Sequence, residues 1–332
     1  RKGGPNMNFP IDMVYLWCNG NDPAFKQRKQ DLLGCSNISY NNESSGDIRF
    51  IDNEELRFSL RSLEKNAPWI HHIFIVTDRQ RPHWLRENSR LTIVDHSEIL
   101  PPHLIPCFNS STIEKYIYRI PHLAEHFLYG NDDTFFGDLL SPDFFFTHSG
   151  QAITRVYKKE RYNHIDFNQI SHQDNGLWLN SIINSWKVLY DFHHQFHPFV
   201  PYHNIDAYTK TGFQRTWHRF ENKLLNSDSA FRNSNDIERI IFDLDAVYSG
   251  ASIIKILPNL SPWKQYVATL VPCSIDGMVK DDKPKHLLMV QYIHPKLFCI
   301  NSAEHSTSKE KRYARKWYKK MFPVPSPFEC PN

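Results

Sequence analysis

The sequence predicts an α/β fold in which helices flank a mainly parallel sheet and a helical cap follows at the C-terminal side. Short apolar runs typical of buried strands recur through the first half, with helical segments between them. The second half shows helix-like periodicity, and the chain has no obvious linker, repeat or low-complexity tract. We therefore expect one composite unit, with an α/β core over residues 7–150 and a helical region over 151–329 that completes the same site.

The elements follow from local signals taken in chain order. Asp22 is placed to cap the first helix, and Pro23 suits the first position of that helix. Leucines at helical spacing indicate the second helix, which ends at Pro68. A further helical stretch precedes the fourth strand. The predicted strands are Ile11–Trp17, Ile73–Thr77, Leu91–Val94 and Phe127–Tyr129, and the helix-like segments of the second half are 177–189, 206–220 and 235–248.

Composition excludes several classes of protein. Hydrophobic residues make up 40% of the 332 residues, which is enough for a core and excludes a wholly disordered chain. No run approaches the roughly 20 apolar residues of a membrane-spanning helix. The formal charge is only +3, without the basic excess of a nucleic-acid binder. The six cysteines form no C-x-x-C pair and are expected to be thiols, and the absence of an apolar leader predicts a cytoplasmic protein.

Carboxylates follow the predicted strands. Asp78, Asp95 and the pair Asp132-Asp133 come just after strand ends, where open α/β sheets bind ligands. A single Asp at such a place is also a common turn or helix cap. Adjacent acids repel each other unless a cation is bound, and oxygen ligands of this kind suit Mg²⁺ or Mn²⁺ holding a diphosphate.

Four blocks of the chain match one family pattern. They are Ile11–Pro23, Asn53–Gly137, His203–Ile237 and Phe298–Asn301, the last followed by Phe322–Glu329. These blocks resemble the Stealth family, whose members transfer a sugar 1-phosphate and include bacterial capsule polymerases and the lysosomal-enzyme GlcNAc-1-phosphotransferase. In the fourth block the family commonly has Asp after the Asn, whereas Ser302 follows Asn301 here.

The resemblance implies an activity and its partners. A hexosamine 1-phosphate would pass from a UDP-sugar similar to UDP-GlcNAc to a sugar hydroxyl with release of UMP, building a phosphodiester-linked, capsule-type polysaccharide. It also implies a Rossmann-like (GT-A-like) sheet that binds the donor, an oligosaccharide or polysaccharide acceptor, and no nucleic acid. Catalysis of such a transfer is mainly positioning and charge neutralisation by a metal and by arginines.

The resemblance also implies site residues. Asp132 and Asp133 would hold Mg²⁺ (or Mn²⁺) or orient the sugar. Arg232 would act on the phosphates, and His203 is the first choice of general base, ahead of His197. Further contacts to donor or acceptor are implied for Asp12, Trp17, Asn19, Asp22, Arg57, Arg61, Asp78, Arg79, Asn109, Ser110, Glu114, Asn131 and Asn301. Ordinary alternatives are ion pairs for the arginines, a core position for Trp17 and a cap for Asp22.

Two features near the C-terminal side have competing explanations. The histidine-rich stretch Phe192–His197 resembles a metal site, but it does not form a complete set of zinc ligands, and exposed or packed histidines are the commoner explanation. Lys309–Lys320 has the pattern of a basic amphipathic helix that contacts the inner face of an anionic membrane or the growing anionic polymer. The alternative is an ordinary helix packed by its aromatic face, with solvated lysines.

Two other functions remain open. A metal-dependent glycosyltransferase would use the same acidic pair but release UDP instead of UMP. A non-catalytic glycan-binding or assembly subunit is kept open by Ser302. Identification of the released nucleotide separates these hypotheses.

Overall fold

A computed structural model describes residues 7–35, 42–169, 175–257, 270–274, 285–301 and 307–331. The strands are β1 (Ile11–Leu16), β2 (Ile73–Thr77), β3 (Leu91–Asp95), β4 (His126–Asn131), β5 (Thr134–Phe136), β6 (Ile153–Lys158), β7 (Phe199–Pro201), β8 (Asp206–Thr209), β9 (Ile253–Ile256), β10 (Leu270–Ser274) and β11 (Leu297–Asn301). The α-helices are α1 (Pro23–Cys35), α2 (Asn42–Ser45), α3 (Glu55–Asn66), α4 (His96–Ile99), α5 (Ser110–Glu114), α6 (Leu177–His193), α7 (Lys210–Arg219), α8 (Glu221–Asn226), α9 (Ile240–Tyr248), α10 (Lys285–Ile293) and α11 (Ser308–Met321). Short 3₁₀ helices span Asp47–Phe50, Pro102–Leu104, Ile117–Arg119, Pro142–Phe144 and Glu160–Tyr162.

The central sheet has the order β3-β2-β1-β4-β8 within the described ranges. The pairings among β3, β2, β1 and β4 are parallel, and β8 is antiparallel to β4. Leu16 at the end of β1 lies opposite both Val76 and Asn131. The carboxyl ends of these parallel strands therefore share one edge, which is where α/β sheets place their ligands. This confirms the predicted α/β fold with a mainly parallel sheet.

The second half, predicted to be helical, also contains strands β6–β11. Within the described ranges, β8 joins the central sheet, and the others belong to two three-stranded sheets, β7-β6-β9 and β10-β11-β5. The helix predicted over 206–220 is wrong for its first four residues, because Asp206–Thr209 pairs with β4. The helix α7 begins only at Lys210, where the Thr209 side chain accepts a hydrogen bond from Gly212 N. The free edge of β4 satisfies the backbone groups of residues 206–209, and this long-range pairing overrides local helical spacing.

Helix α3 fixes the segment that follows β4. Ser59 Oγ donates to the carbonyl of Thr134 at 2.6 Å, and Asn66 Nδ2 donates to the carbonyl of Phe136 at 2.6 Å. Ser62 Oγ accepts from Phe136 N at 3.0 Å. These buried contacts hold β5 against α3. The acidic turn between β4 and β5 is thereby fixed at the sheet edge.

The predicted basic helix forms α11 and packs by its aromatic face. Tyr318 stacks on Phe135 with ring centroids 5.3 Å apart, and Trp317 and Phe298 pack in the same cluster. A capping box between Thr307 and Glu310 begins the helix. Among the described residues, no helix is long and apolar enough to cross a membrane.

The core joins the two predicted regions. Phe127 and Tyr129 of β4 belong to the same buried cluster as Trp186 of α6 and Ile240 of α9. The side chains of the second half therefore complete the hydrophobic layer on one side of the central sheet.

Candidate active site

A cavity of about 730 Å³ opens at the carboxyl ends of the parallel strands. Residues at the ends of β1 and β4 line it, and residues from the segments before α5 and before α9 form another part of its wall. The lining residues include Trp17, Cys18, Phe25, Arg49, Glu55, His96, Phe108, Ser110, Glu114, Asn131, Asp132, Asp133, His203, Arg232, Glu238, Arg239 and Cys299.

The acidic pair lies in a tight turn between β4 and β5. Thr134 Oγ1 donates to the carbonyl of Asn131 at 2.6 Å, and the Asp133 carbonyl accepts from Ile300 N at 2.9 Å. Gly130 allows this turn, because a Cβ there would lie 2.5 Å from Thr134 Oγ1. The backbone therefore holds Asp132 and Asp133 at the rim of the sheet.

Carboxylates crowd this end of the cavity. Burial raises the pKa of Asp132 well above its usual value, and the charges of Asp133, Glu55 and Asp52 raise it further. Burial also raises the pKa of Glu55 to about 7, against the hydrogen bonds from Asn53. Crowded, poorly hydrated carboxylates of this kind are stabilised by a bound cation.

The residues present fit a divalent cation. Asp133 Oδ1 is buried and lacks a hydrogen-bond partner within the described residues. Ligand atoms of Asp133, His203 and Cys299 lie within 4.8 Å of one another. The carboxylate oxygens of the pair suit Mg²⁺ or Mn²⁺, whereas the neighbouring imidazole and thiol are donors that softer ions such as Zn²⁺ prefer.

Guanidinium groups occupy another part of the lining. Arg232 Nη2 donates to Ser110 Oγ at 2.7 Å, whereas its buried Nε lacks a partner within the part of the chain that the structure describes. Loss of hydration and the like charge of Arg232 lower the pKa of Arg49 to about 10. Arginines that repel each other across a cavity provide a site for an anion.

A buried network supports this wall. Arg239 Nε donates to Glu114 Oε2 at 3.0 Å, and Arg239 Nη1 donates to Asp206 Oδ2 at 2.8 Å. Arg239 also hydrogen-bonds the Tyr208 hydroxyl, while the Tyr129 hydroxyl donates to Glu114 at 3.0 Å. The network ties α5 and α9 to strands β4 and β8, so Glu114 faces the cavity in a fixed orientation.

His203 stands at the open side of the cavity. Its side chain is exposed, and its Nε2 lies 3.3 Å from Nδ2 of Asn131. Burial raises the pKa of Asp133, and the nearby charge of His203 partly offsets this rise. An imidazole that is accessible and adjacent to the acidic pair is well placed to accept a proton.

The structure brings only part of the predicted site to the cavity. The members that line it are Trp17, Ser110, Glu114, Asn131, Asp132, Asp133, His203 and Arg232. Trp17 is also part of a core cluster. Asn109 is buried beneath the wall, where it caps α5 and donates to Asp236 Oδ1 at 3.0 Å. For Asn301 the structure describes the backbone at the end of β11, and Ser302 lies outside the described residues.

Three predicted residues of the first block, Asp12, Asn19 and Asp22, lie outside the cavity lining, whereas Trp17 lines it. The Asp12 carboxylate, near the start of β1, contacts His71 Nδ1 at 2.9 Å and accepts from Ala124 N at 2.8 Å. Asn19 Oδ1 accepts from Asn21 N. Asp22 Oδ1 caps α1 by accepting from Ala24 N at 2.8 Å. These contacts are the ordinary structural uses of the residue types.

The predicted arginines of α3 and the residues after β2 also have other partners. Arg57 and Arg61 pair with Glu329 at 2.6 Å each. Asp78 accepts from Arg28 Nε at 2.8 Å, and Arg79, with a φ of 54°, donates its backbone N–H to Asp95. In the histidine-rich stretch, His193 Nε2 lies 2.7 Å from Asp245 Oδ1.

Several lining residues were not predicted from the sequence. Glu55 lies inside the second resembling block, and His96 directly follows a predicted strand and an Asp, so both carried a positional signal. Arg49 precedes that block and had no signal of its own. Cys299 lies inside the fourth resembling block and also carried a positional signal, whereas Arg239 follows the third block and reaches the cavity only through the fold.

Comparisons with known proteins point to one family. Sequence models of the Stealth proteins match residues 9–34 (conserved region 1) and 49–154 (conserved region 2). The chain is 33% identical over 97% of its length to an exopolysaccharide phosphotransferase, SCO6021, of Streptomyces coelicolor. It is 33% identical over 71% of its length to the capsular polysaccharide phosphotransferase LcbA of Aeromonas hydrophila. It spans 57% and 65% of the lengths of these two relatives.

One solved structure gives a looser likeness. The galactosyltransferase LgtC, in complex with donor and acceptor sugar analogues, superposes with a TM-score of 0.41 at 9% identity. The superposition covers 95% of this chain and 97% of that one.

Proposed function

This chain belongs to the Stealth family, and on that premise we propose that it transfers a hexosamine 1-phosphate from a UDP-sugar to a sugar hydroxyl, releasing UMP. The single observation that carries the proposal is the charge arrangement of the cavity. Asp132, Asp133 and Glu55 line it together with the guanidinium groups of Arg49 and Arg232. A diphosphate with its cation has charges of both signs, and this lining complements both.

The arginines would bind the diphosphate. Arg232 is held toward the cavity by its hydrogen bond to Ser110. Arg49 and Arg232 repel each other because they carry like charges, and a bound phosphate would relieve this repulsion. Asp132 and Asp133 would hold Mg²⁺ or Mn²⁺. When bound, that ion would neutralise charge on the diphosphate and polarise its bridging bond.

The transfer itself is a substitution at phosphorus. The acceptor oxygen forms a bond to the sugar-linked phosphorus, and the bond from that phosphorus to the bridging oxygen breaks, leaving UMP. The anomeric carbon–oxygen bond is kept, so the configuration of the sugar is retained. His203, exposed beside Asn131, would accept the proton of the incoming hydroxyl. Repetition on a growing chain would build a phosphodiester-linked, capsule-type polysaccharide.

Identification of the products tests the proposal. The protein is incubated with a panel of UDP-sugars, Mg²⁺ or Mn²⁺ and an oligosaccharide acceptor, and released nucleotides are separated. We expect UMP, with one phosphate per transferred sugar in the product. Release of UDP would instead establish a glycosyltransferase. If no donor gave either nucleotide, a glycan-binding subunit would be favoured.

The exposed face of α11 supports an anionic partner. Ala314, Trp317 and Tyr318 are buried, so the apolar face of this helix is already covered. The opposite face carries basic residues three or four positions apart, which places them in one stripe. We propose that this stripe contacts the anionic polymer product. The exposed residues of this basic stripe are Arg312, Arg315, Lys316, Lys319 and Lys320.

A further inference from the structure

The cavity extends along the sheet edge as well as into the protein. His96 follows the last residue of β3, Leu16 ends β1 and Asn131 ends β4, and all of them line the cavity. In the order β3-β2-β1-β4, with strands about 4.8 Å apart, the end of β3 lies about 14 Å from the acidic turn. This span is comparable with the extent of a nucleoside diphosphate from its base to its phosphates.

We propose that the His96 end of the cavity is the nucleobase subsite of the donor, with His96 hydrogen-bonding the polar edge of the base. The inference rests on the proposed function for the identity of the base, uracil. It adds the orientation of the nucleotide, with the base at β3 and the diphosphate at β4.

The first argument is the state of the His96 side chain. His96 is only 4% exposed, yet neither its Nδ1 nor its Nε2 has a hydrogen-bond partner among the residues that the structure describes. A buried polar group without a partner costs free energy, because it has lost its hydration without gaining a hydrogen bond. A ligand that supplies the missing partner recovers this free energy on binding, so the side chain is suited to a polar ligand.

The second argument is its charge. Burial lowers the pKa of His96 to about 4, although the charges of Asp78 and Asp95 act in the opposite sense. The imidazole is therefore neutral near pH 7 and carries one donor and one acceptor nitrogen. A neutral ring of this kind matches the carbonyl and N–H groups of a base edge better than it matches a phosphate.

The third argument is the apolar part of the cavity lining. Phe25 and Phe108 line the same cavity, with ring centroids 5.1 Å apart in an edge-to-face pair. Cys107 and Ile113 add further apolar lining. Apolar walls with one convergent polar group are the usual environment for a planar ring.

Binding of UMP and of ribose 5-phosphate separates the base from the rest of the nucleotide. Both are measured by calorimetry with the wild-type chain and with His96→Leu, His96→Asn and the exposed control His103→Leu. In the wild type we expect UMP to bind more tightly than ribose 5-phosphate. His96→Leu should weaken UMP binding about tenfold to a hundredfold and leave ribose 5-phosphate unchanged, because one unpaired polar contact has this size. His96→Asn, which keeps a donor and an acceptor, should retain most of the preference.

The stability of the ligand-free variants provides a second readout. Because Leu removes buried nitrogens that lack partners, His96→Leu should be at least as stable as the wild type. Lower stability of His96→Leu would show that the imidazole serves the fold and would overturn the proposal. The proposal would also be overturned if His96→Leu bound UMP as tightly as the wild type does, or if it lost affinity for UMP and ribose 5-phosphate equally. A wild type that binds UMP no more tightly than ribose 5-phosphate would overturn it as well. Release of UDP in the activity assay would refute only the proposed transfer, since the base comparison does not depend on turnover.

Discussion

Arg61 donates to the carboxylate of Glu329 from both Nε and Nη2, each at 2.6 Å. Arg57, one turn earlier on α3, donates to the same carboxylate at 2.6 Å. Glu329 is buried, and its Oε1 also accepts from Ser326 N at 2.8 Å. This ion-pair cluster ties the helix behind the acidic turn to the segment that follows α11.

Replacing Glu329 by Gln should destabilise the fold strongly. The change leaves Arg61 without its counter-charge and Arg57 with only the carboxylate of Glu54, at 3.5 Å. Breaking a buried pair costs about 3–5 kcal/mol. The free energy of unfolding is measured by urea denaturation. Asp191→Asn, which breaks an exposed pair with Lys187, is the control and should change stability by less than about 1 kcal/mol. A Glu329→Gln effect as small as the control would contradict a stabilising role for the cluster.

The same cluster predicts a dependence on pH. Burial would raise the pKa of Glu329, but hydrogen bonds from Arg61, Ser326 and Arg57 prevail and lower it to about 2. The folded pKa lies below the unfolded value, so this stability is fully present above about pH 4.5. It is lost as the pH falls toward 2. Denaturation curves of wild type and Glu329→Gln should therefore differ most near neutral pH and converge in strong acid; a constant difference would refute the linkage.

Asp133→Asn should abolish turnover and preserve the fold. The amide cannot supply the negative charge that a divalent cation needs, and chelation by EDTA should have the same effect on the wild type until Mg²⁺ or Mn²⁺ is restored. Release of nucleotide is measured, with circular dichroism to verify folding. Asp138→Asn is the matched control, since Asp138 follows the same turn but pairs with Lys296. Full activity after chelation would reject the metal.

Arg49→Ala should impair use of the donor. Removal of a guanidinium that binds phosphate costs about 2–4 kcal/mol, equivalent to a fall in kcat/KM of roughly 30- to 1000-fold. Arg49→Lys keeps the charge without the fork and should recover part of the loss. The exposed Arg86→Ala is the control. If steady-state kinetics gave Arg49→Ala the same kcat/KM as Arg86→Ala, Arg49 would not bind the phosphates.

Neutralising part of the basic stripe should weaken binding to polyanions. The triple change Arg315→Gln, Lys316→Gln and Lys319→Gln should lower the affinity for inorganic polyphosphate at low salt. We expect a loss of about fivefold per charge, or roughly a hundredfold in total. Glutamine preserves helix propensity, so α11 should stay folded. Activity on a short acceptor should be unchanged.

The matched control removes the same charge elsewhere. Arg215, Lys223 and Lys255 are exposed outside α11, and their change to Gln should leave polyphosphate affinity within about twofold. Vesicles with anionic lipid are tested in parallel by sedimentation. Binding of vesicles but not of polyphosphate through the stripe would identify a membrane surface as the partner instead of the polymer.

Local sequence signals located much of the fold but assigned some residues to the wrong element. The buried runs at 11–17 and 73–77 predicted β1 and β2 closely, because strands covered on both faces need continuous apolar residues. The helical spacing over 206–220 hid β8, whose formation depends on the open edge of β4. Periodicity reports which face of a segment is apolar, and it does not report which backbone will pair with it.

The sequence by itself determined the strand-rich first half, the acidic pair after β4 and the family resemblance, because each depends on neighbouring residues in the chain. Only the tertiary structure decided which charged groups meet. Arg57 and Arg61 suggested a phosphate clamp, yet folding gives them Glu329 as a partner. Arg49 carried no motif, yet folding places it near Arg232. A charge acts over distance in space, and the distance between residues far apart in the chain is fixed only when the core packs.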